Sequence, residues 1–372
     1  MPILAKSHRE GSSGKPRRSW SPAWWWGFGL SLFLPAATLA FLLSVPHEII
    51  PALLWTLPTW LLIAADSFGP TEVRQVPASA PRGFFDGLLY ALVILQLANV
   101  LALGGMVAQL TWNGWGEFWV SVANLAAVRT LVGPDFCCAA IAPAHELIHR
   151  RDRRQRRLGR LLLMSVGYDH FYVAHRAGHH PRLGSADDPS TALAGESYGD
   201  FVRRSVAAQW RLAWRTEPRS VGRGLLLELA CFAGYGLVFG PLALVVLAWQ
   251  CVVAVRQLEV VNYFQHFGLT LESGHAGATA WHTDSAVSLF LFLGLTSHAD
   301  HHRRPAVPYP DLRAYDDQPR LAFGYMGMAV WVKNRGEDYR RWAAETLAGR
   351  LPEPEAAAPR TVAARYAHPF KR

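Results

Sequence analysis

The chain has 372 residues and a formal net charge of +9 at pH 7, and hydrophobic residues make up 51% of it. Four stretches are too apolar for too long to be the core of an ordinary soluble domain, which favours an integral membrane protein. The excess of positive charge is typical of membrane topology and of contact with anionic lipid. Nothing in the sequence resembles a nucleic-acid-binding module, so no nucleic-acid partner is expected.

The four apolar stretches, together with residues 118–144, which contain Arg129 and Asp135, predict six transmembrane helices. A bilayer core of about 30 Å takes roughly 20 helical residues, so the uncharged stretch 229–255 is too long for one upright helix. Gly240 and Pro241 near its middle indicate a tight hairpin between two spans. The predicted spans are residues 24–45, 49–65, 87–109, 118–143, 223–240 and 242–260.

The spans divide the chain into six regions and predict its orientation. Seven arginines between Arg150 and Arg160 directly follow the fourth span, whereas the loop 111–117 has no Lys or Arg. By the positive-inside rule, both termini and the segment 145–222 lie on the cytoplasmic side of the inner (plasma) membrane. The regions are a basic cytoplasmic segment (1–23), four transmembrane helices (24–144), a cytoplasmic histidine-rich region (145–222), a transmembrane hairpin (223–262), a second cytoplasmic histidine-rich region (263–350) and a C-terminal tail (351–372). The predicted fold class is therefore an all-α membrane protein with a cytoplasmic helical cap.

Several residues inside the predicted spans have ordinary interpretations. The four cysteines show no zinc-site spacing and are expected to be reduced packing residues. The tryptophans 24–26 fit an interfacial aromatic belt, and Arg129 and Asp135 in the fourth span are six residues apart and need not pair. A charge within a span is nevertheless a hint of function.

Nine of the fifteen histidines fall into four short clusters beside or between the apolar stretches. Spacings of three to five residues place several neutral nitrogen donors on one helix face or one turn. Nine donors are too many for a catalytic zinc site with three protein ligands, and they suit two metal ions. The candidate metal ligands are His145, His149, His175, His179, His180, His266, His298, His301 and His302.

The first cluster leaves an alternative open. Residues 145–149 read His-Glu-Leu-Ile-His, which is also the HExxH pattern of zinc metalloproteases, with Glu146 as general base. Imidazole-rich sites fit iron, copper, nickel or zinc, so ligand type alone does not choose the metal. If the site reacts with O2, iron is the favoured metal.

The histidines lie in four motifs: HELIHR (145–150), AHRAGHH (174–180), NYFQHFGL (262–269) and SHADHH (297–302). Together they resemble the integral-membrane di-iron hydroxylase and desaturase superfamily, and most closely its alkane 1-monooxygenase and xylene monooxygenase branch. The segment DDPSTALAGES (187–197) is similar to a connector of that family. Ala174 and Gln265 resemble the xylene-type enzymes more than the alkane-type ones, which leaves the substrate open.

The resemblance implies a fold, an activity and partners. It implies that the nine histidines bind two non-haem irons, which use O2 as co-substrate to hydroxylate a terminal or benzylic methyl of an alkane or alkyl-aromatic compound. It further implies a rubredoxin or ferredoxin-type electron carrier with its reductase, and an apolar substrate that enters from membrane lipid. A fatty-acyl desaturase is the main alternative, and a membrane zinc protease that depends on HExxH alone is the weaker one.

Acidic residues near the clusters are expected to support the ligands. A ligating histidine generally donates its second ring N–H to a carboxylate or carbonyl, which fixes its tautomer. His282 lies outside the cluster spacings and is expected to be an interfacial or hydrogen-bonded histidine, and His170 also lies outside them. The four candidate carboxylates are Glu146, Asp188, Asp300 and Glu259.

Overall fold

The computed structural model describes residues 23–44, 46–271 and 279–349. All regular elements in these ranges are helices, apart from two isolated β-bridges. Residues 1–22 of the predicted basic segment and the predicted tail lie outside the described residues. The helices are α1 (Trp24–Leu43), α2 (Ile49–Phe68), α3 (Arg82–Ala108), α4 (Gly114–Ile148), α5 (Arg153–Ser165), α6 (171–182), α7 (Tyr198–Thr216), α8 (Pro218–Phe239), α9 (Pro241–His266), α10 (Ala286–Leu291), α11 (His298–Arg303), α12 (Tyr325–Asn334) and α13 (Gly336–Leu347).

Six of these helices, α1 to α4, α8 and α9, are long and apolar enough to cross a membrane. They coincide with the six predicted spans, although α4 and α9 continue five and six residues beyond their predicted ends. These extensions carry His145 and His266. The apolar pattern marks only the part of a helix that suits lipid, whereas the backbone hydrogen bonds continue into a polar environment.

The hairpin between α8 and α9 has the predicted position. Gly240 separates the two helices with a φ of 90°, a left-handed conformation that glycine adopts readily. Pro241 then begins α9, where its missing N–H costs no helical hydrogen bond. Large apolar side chains such as Leu237 and Val238 are exposed near this turn, as expected for side chains that face lipid.

Helix α4 is unusually long and irregular near its histidine-bearing end. Its 35 residues correspond to about 52 Å at 1.5 Å per residue, well beyond a hydrocarbon core of about 30 Å. Pro134 lies inside the helix, and a π-helical turn follows at Cys137–Ile141. Such turns are rare and often occur at functional sites, because they rotate the residues that follow around the helix axis. Here those residues are His145 and His149.

Residues 145–217, 263–271 and 279–349 carry the nine clustered histidines and the short helices that pack around them, and we call these residues the cap. The end of α2 lies under it, since the Asp66 carboxylate accepts hydrogen bonds from the hydroxyls of Ser285 and Ser288, both at 2.6 Å. The start of α3 lies there too, because Arg150 forms an ion pair with Asp86 at 3.0 Å. The cap is therefore fixed to the bundle through buried and partly buried polar contacts.

Candidate metal centre

Four elements supply the nine clustered histidines. His145 and His149 lie one helical turn apart at the end of α4, and His266 is the last residue of α9. The second cluster lies on α6, which contains a π-helical turn at Ala174–His179, and the fourth lies on α11. All four elements meet in the cap.

The structure brings the nine histidines into two groups. Within each group, one ligand atom of every member lies within 4.8 Å of the ligand atoms of the others. The first group has five members: His145, His149, His175, His180 and His301. The second group has four members: His179, His266, His298 and His302.

Short nitrogen-to-nitrogen distances show that the rings of each group converge. Nε2 of His175 lies 3.0 Å from Nε2 of His180, which lies 3.2 Å from Nε2 of His301. In the second group, Nε2 of His302 lies 3.0 Å from that of His298 and 3.2 Å from that of His179. Two metal–nitrogen bonds of about 2.1 Å at a right angle place their nitrogens about 3.0 Å apart. The spacing thus fits imidazoles that share one ion.

Unpartnered buried nitrogens also fit a metal. Nε2 of His145, His149 and His266 is buried and has no hydrogen-bond partner among the described residues. A buried polar atom without a partner is costly, and a metal ion would satisfy each of these. The donor set therefore matches a centre with two metal ions.

The environment keeps the histidines in the form that binds metal. Burial, together with the neighbouring histidines, lowers the pKa of His180 to about 2. Burial, followed by mutual repulsion, also holds the pKa of His149, His298, His301 and His302 well below its ordinary value. Neutral imidazole is the metal-binding form, so these rings are ready to coordinate near pH 7.

Asp188 is the one predicted carboxylate that contacts a clustered histidine among the described residues. Its oxygens lie 2.9 and 3.0 Å from Nδ1 of His179. They also accept hydrogen bonds from the Thr191 hydroxyl at 2.6 Å and the Ser190 amide at 2.9 Å. Burial alone would raise the pKa of Asp188, but the contacts with His179 and Thr191 hold it at about 2. The ionised carboxylate thus fixes His179 with Nε2 directed at the second group.

Glu146 lies next to His145 in sequence but has other partners. Its carboxylate forms an ion pair with Arg150 at 2.8 Å and accepts a hydrogen bond from the Tyr309 amide at 3.2 Å. These contacts fasten the end of α4 to the loop that follows α11. A protease general base needs a carboxylate that faces the metal-bound water, and the contacts of Glu146 do not provide one.

The other two predicted carboxylates also have partners other than the clustered histidines. Asp300 is fully buried and accepts a hydrogen bond from the Tyr315 hydroxyl at 2.7 Å. Glu259 accepts hydrogen bonds from Ser205 at 2.8 Å and Gln209 at 2.9 Å, which link α9 to α7. Asp300 thus joins two segments of the cap, and Glu259 joins the membrane-spanning helix α9 to the cap helix α7.

Comparison with known proteins identifies the family. Residues 121–333 match the family described as fatty acid desaturase. Alkane 1-monooxygenase 1 of Pseudomonas aeruginosa is 33% identical over 293 residues, which cover 73% of this chain and 74% of the relative. The chain belongs to this family. Alkane 1-monooxygenase 2 of the same organism is 30% identical over 83% of each chain.

Within the fatty acid desaturase family, the chain is a membrane-bound monooxygenase. The hydroxylase component of the xylene/toluene monooxygenase of Pseudomonas putida is also similar, at 26% identity over 61% of this chain and 60% of the relative. The named relatives are monooxygenases, which favours a hydroxylase over the desaturase alternative. The predicted resemblance is thereby confirmed.

Two further histidine contacts belong to the site, and only the second was expected from the sequence. His266 is oriented by a backbone group, because its Nδ1 lies 3.0 Å from the carbonyl oxygen of Thr279, a contact that no side-chain pattern reveals. His282 is buried, with its ring nitrogens 2.8 Å from the Thr296 carbonyl and 3.0 Å from Asp284. It is thus the hydrogen-bonded histidine that the sequence indicated.

A small cavity of about 30 Å³ lies directly against the centre. His145, His175 and His298 line one side of it, so it touches both histidine groups. Apolar side chains such as Phe171 and Leu258 line the rest. A small and mainly apolar cavity therefore lies beside the candidate ligands.

Proposed function

We propose that this monooxygenase is a non-haem di-iron hydroxylase that acts on the terminal or benzylic methyl group of an apolar chain. The observation that carries the proposal is the convergence of nine imidazoles in two groups beside an apolar cavity. The names of the relatives support alkanes and alkyl-aromatic compounds as the substrate class. Iron is the metal that suits both the imidazole donors and the use of O2.

The proposed reaction needs an external source of electrons. One oxygen atom of O2 enters the C–H bond, and the other leaves as water with two protons and two electrons. We assign the electrons to a rubredoxin or ferredoxin-type carrier with its reductase. When bound, the two irons supply the activation of O2.

The protein's own residues position the reaction. The two histidine groups hold the metals, and Asp188 and the Thr279 carbonyl fix the rings of His179 and His266. The apolar wall that contains Phe171 and Leu258 excludes water and holds the methyl group near both groups.

We also propose that the cap faces the cytoplasm. The seven arginines from Arg150 to Arg160 follow α4 at its cap end, and positive residues are retained on that side of the membrane. A cytoplasmic cap would be accessible to a soluble electron carrier. Reporter fusions after Arg157 and after Asn113 should report opposite sides of the membrane, and the reverse pattern would contradict this orientation.

Metal and product analysis tests the proposed function. The purified protein should contain about two irons per chain, and with 18O2, a carrier system and an alkane or p-xylene it should give an alcohol that contains 18O. Loss of two hydrogens from a fatty acyl substrate would indicate a desaturase. A single zinc together with peptide cleavage would indicate the protease.

Matched histidine variants locate the centre. We expect His301→Ala and His179→Ala to lose iron and abolish hydroxylation, because each removes a ligand from a different group. His282→Gln is the control, because His282 is also buried in the cap but belongs to neither group. Full iron content and turnover in His301→Ala and His179→Ala would contradict the assignment.

A further inference from the structure

A row of aromatic rings joins the candidate metal centre to the surface of the cap. It begins at His175, a member of the group of five, whose ring is stacked on Phe171 with centroids 4.9 Å apart. Phe171 is stacked in turn on Tyr168 at 5.8 Å. Among the described residues, Phe171 is the one ring other than histidine that contacts a clustered histidine. We call the following six residues the aromatic row: His175, Phe171, Tyr168, His170, Trp210 and Trp214.

The outer part of the aromatic row reaches the protein surface on helix α7. The ring of His170 lies between those of Tyr168 and Trp210, with centroid distances of 4.4 and 4.7 Å. Trp210 is stacked on Trp214, one helical turn further along α7, at 6.0 Å. Tyr168 and Phe171 are buried, whereas Trp210 and Trp214 are 36% and 43% exposed. The row therefore connects a candidate metal ligand with the surface through consecutive ring contacts.

His170 has no polar role that would explain its position. Its ring is buried and belongs to neither histidine group, and neither of its nitrogens has a hydrogen-bond partner among the described residues. A buried imidazole without partners lowers stability, and an apolar side chain would fill the same space at a smaller cost. The contacts that His170 does make are with the rings of Tyr168 and Trp210, which it joins.

The chemistry of the rings decides when charge can move along the aromatic row. Tyrosine and tryptophan lose one electron to a strong oxidant, but neither accepts an electron from a biological reductant. Electrons can therefore pass inward through ring radicals only when the centre is oxidising enough to take the first electron from Tyr168. Reduction of the resting metals by a carrier does not meet this condition.

Tyr168 has an acceptor for the proton that it would release on oxidation. Its hydroxyl oxygen lies 2.9 Å from the amide oxygen of Gln209 and 3.4 Å from a carboxylate oxygen of Glu259. An oxidised tyrosine gives up its phenol proton, and in a buried site the base that takes it must be close by. The amide is not a base, so the Glu259 carboxylate is the group that can take the proton and return it.

The proposed reaction has a state in which such a row protects the protein. In hydroxylation, two electrons from the carrier reduce one oxygen atom to water, and the C–H bond takes the other oxygen atom. When no C–H bond is in reach, reduction of that second oxygen atom to water needs two further electrons and two protons. If these are not supplied, side chains around the centre are oxidised instead, and an enzyme must suppress such competing reactions.

We propose that the aromatic row protects the centre by carrying electrons to it from the surface when no substrate is bound. This inference rests on the proposed function. Tyr168 gives one electron inward through Phe171 and its proton to Glu259, and the Tyr168 radical then takes an electron from Trp210 across His170 and recovers the proton. A soluble thiol restores Trp210 at the surface. Two such transfers convert two thiols into a disulfide, and their two electrons and two protons complete the second water molecule.

Reaction without substrate tests the inference. The iron-loaded enzyme receives its electron carrier and O2 in the absence of hydrocarbon and thiol, with catalase present to remove hydrogen peroxide. Samples frozen during the reaction should show an organic radical by electron paramagnetic resonance, and Tyr168→Phe should lose its tyrosyl component. Peptide mass spectrometry should then detect hydroxytryptophan or kynurenine at Trp210 and Trp214. Added glutathione or p-xylene should suppress both signals.

Matched variants separate the aromatic row from other tryptophans. Trp210→Phe keeps a ring but removes its ability to be oxidised, so oxidation of Trp214 should be lost and the enzyme should be inactivated after fewer substrate-free cycles than the wild type. Trp342→Phe is the control, because Trp342 is also a cap tryptophan with a tryptophan neighbour, Trp281 at 5.5 Å, but it contacts no clustered histidine among the described residues. With saturating p-xylene, both variants should hydroxylate at the wild-type rate.

A second measurement is independent of iron and of turnover. In the metal-free protein, flash excitation of a soluble ruthenium photo-oxidant removes an electron from the exposed tryptophans of α7. We expect the resulting indole radical to decay as a tyrosyl radical forms at Tyr168. This tyrosyl signal should be lost in Tyr168→Phe and in Trp210→Phe and should persist in Trp342→Phe.

The possible outcomes are distinct. If Trp342 is oxidised as much as Trp210, a diffusing oxidant is responsible and the inference fails. If no radical forms in the substrate-free reaction or in the metal-free protein, the inference fails while the proposed function stands. If Tyr168→Phe and Trp210→Phe slow the anaerobic reduction of the irons by the carrier, the row supplies the electrons for hydroxylation and the protective role is overturned. If the protein binds no iron and oxygenates no substrate, the proposed function fails and the inference fails with it, whatever the metal-free protein shows.

Discussion

Replacement of Asp188 by Asn should weaken metal binding in one histidine group and leave the other nearly intact. Asp188 contacts His179, which belongs to the group of four, and the described residues show no contact between Asp188 and the group of five. Asn keeps one oxygen for the His179 ring, but its NH2 group cannot accept the hydrogen bonds that the second carboxylate oxygen accepts. The loss of charge also weakens the orientation of the ring.

The expected loss of metal affinity follows from the role of a carboxylate that orients a metal-binding histidine. Removal of the hydrogen-bond partner of a metal ligand typically lowers metal affinity about 10- to 100-fold, or about 1.4–2.8 kcal/mol. Anaerobic Fe(II) titration of metal-free Asp188→Asn should therefore show two classes of site, one at wild-type affinity and one weakened by that factor. Mössbauer spectra at one iron per chain should then show mainly the group of five occupied.

Glu259→Gln is the matched control. Glu259 is also a fully buried carboxylate in the same region, but it accepts hydrogen bonds from Ser205 and Gln209 and not from a clustered histidine. We expect this change to lower stability without creating a weak iron site. Equal weakening of both sites by Asp188→Asn, or weakening of neither, would refute the reasoning.

Three further substitutions test the surroundings of the centre. In His170→Phe, two buried ring nitrogens without partners are removed. Burial lowers the pKa of His170 to about 4, so the unfolded chain binds a proton below about pH 6.5 that the folded chain does not, and the wild type loses stability there. Phe does not titrate. The stability of the variant relative to the wild type, measured by thermal unfolding, should therefore rise by about 2 kcal/mol between pH 8 and pH 5. Glu146→Gln should retain both irons and part of the activity, measured by metal analysis and product yield, since Glu146 pairs with Arg150; complete loss of activity with normal iron content would favour a general base. Asp66→Asn should cost about 2–3 kcal/mol in the same unfolding assay, because Asp66 joins α2 to the cap; an unchanged midpoint would contradict that role.

Much of the fold could be predicted from the sequence because a lipid environment imposes a simple rule. Spans must be apolar and about 20 residues long, so composition alone locates all six. The same rule gives no information on where each helix ends, so the apolar pattern alone stops five residues short of the end of α4 and six short of the end of α9. Those extensions are the parts that carry His145 and His266 to the centre.

The four predicted carboxylates show that proximity in sequence does not tell which side chains are in contact. Glu146 and Asp300 each lie beside a clustered histidine, yet adjacent residues on a helix point about 100° apart and their side chains contact other partners. Asp188 lies eight residues after His180, and a turn of the chain brings its carboxylate back to His179.

The division of the nine histidines into two groups has a structural basis in the helices that bear them. Helix α6 contributes His179 to one group and the adjacent His180 to the other, and α11 divides His302 and His301 in the same way. Since adjacent residues are fixed relative to each other by the peptide bond and the helical geometry, neither group can shift without the other. Helices α4 and α9 then contribute to one group each, so the spacing of the two groups is set by α6 and α11. The two ions that we propose would be held at a fixed separation by histidines alone.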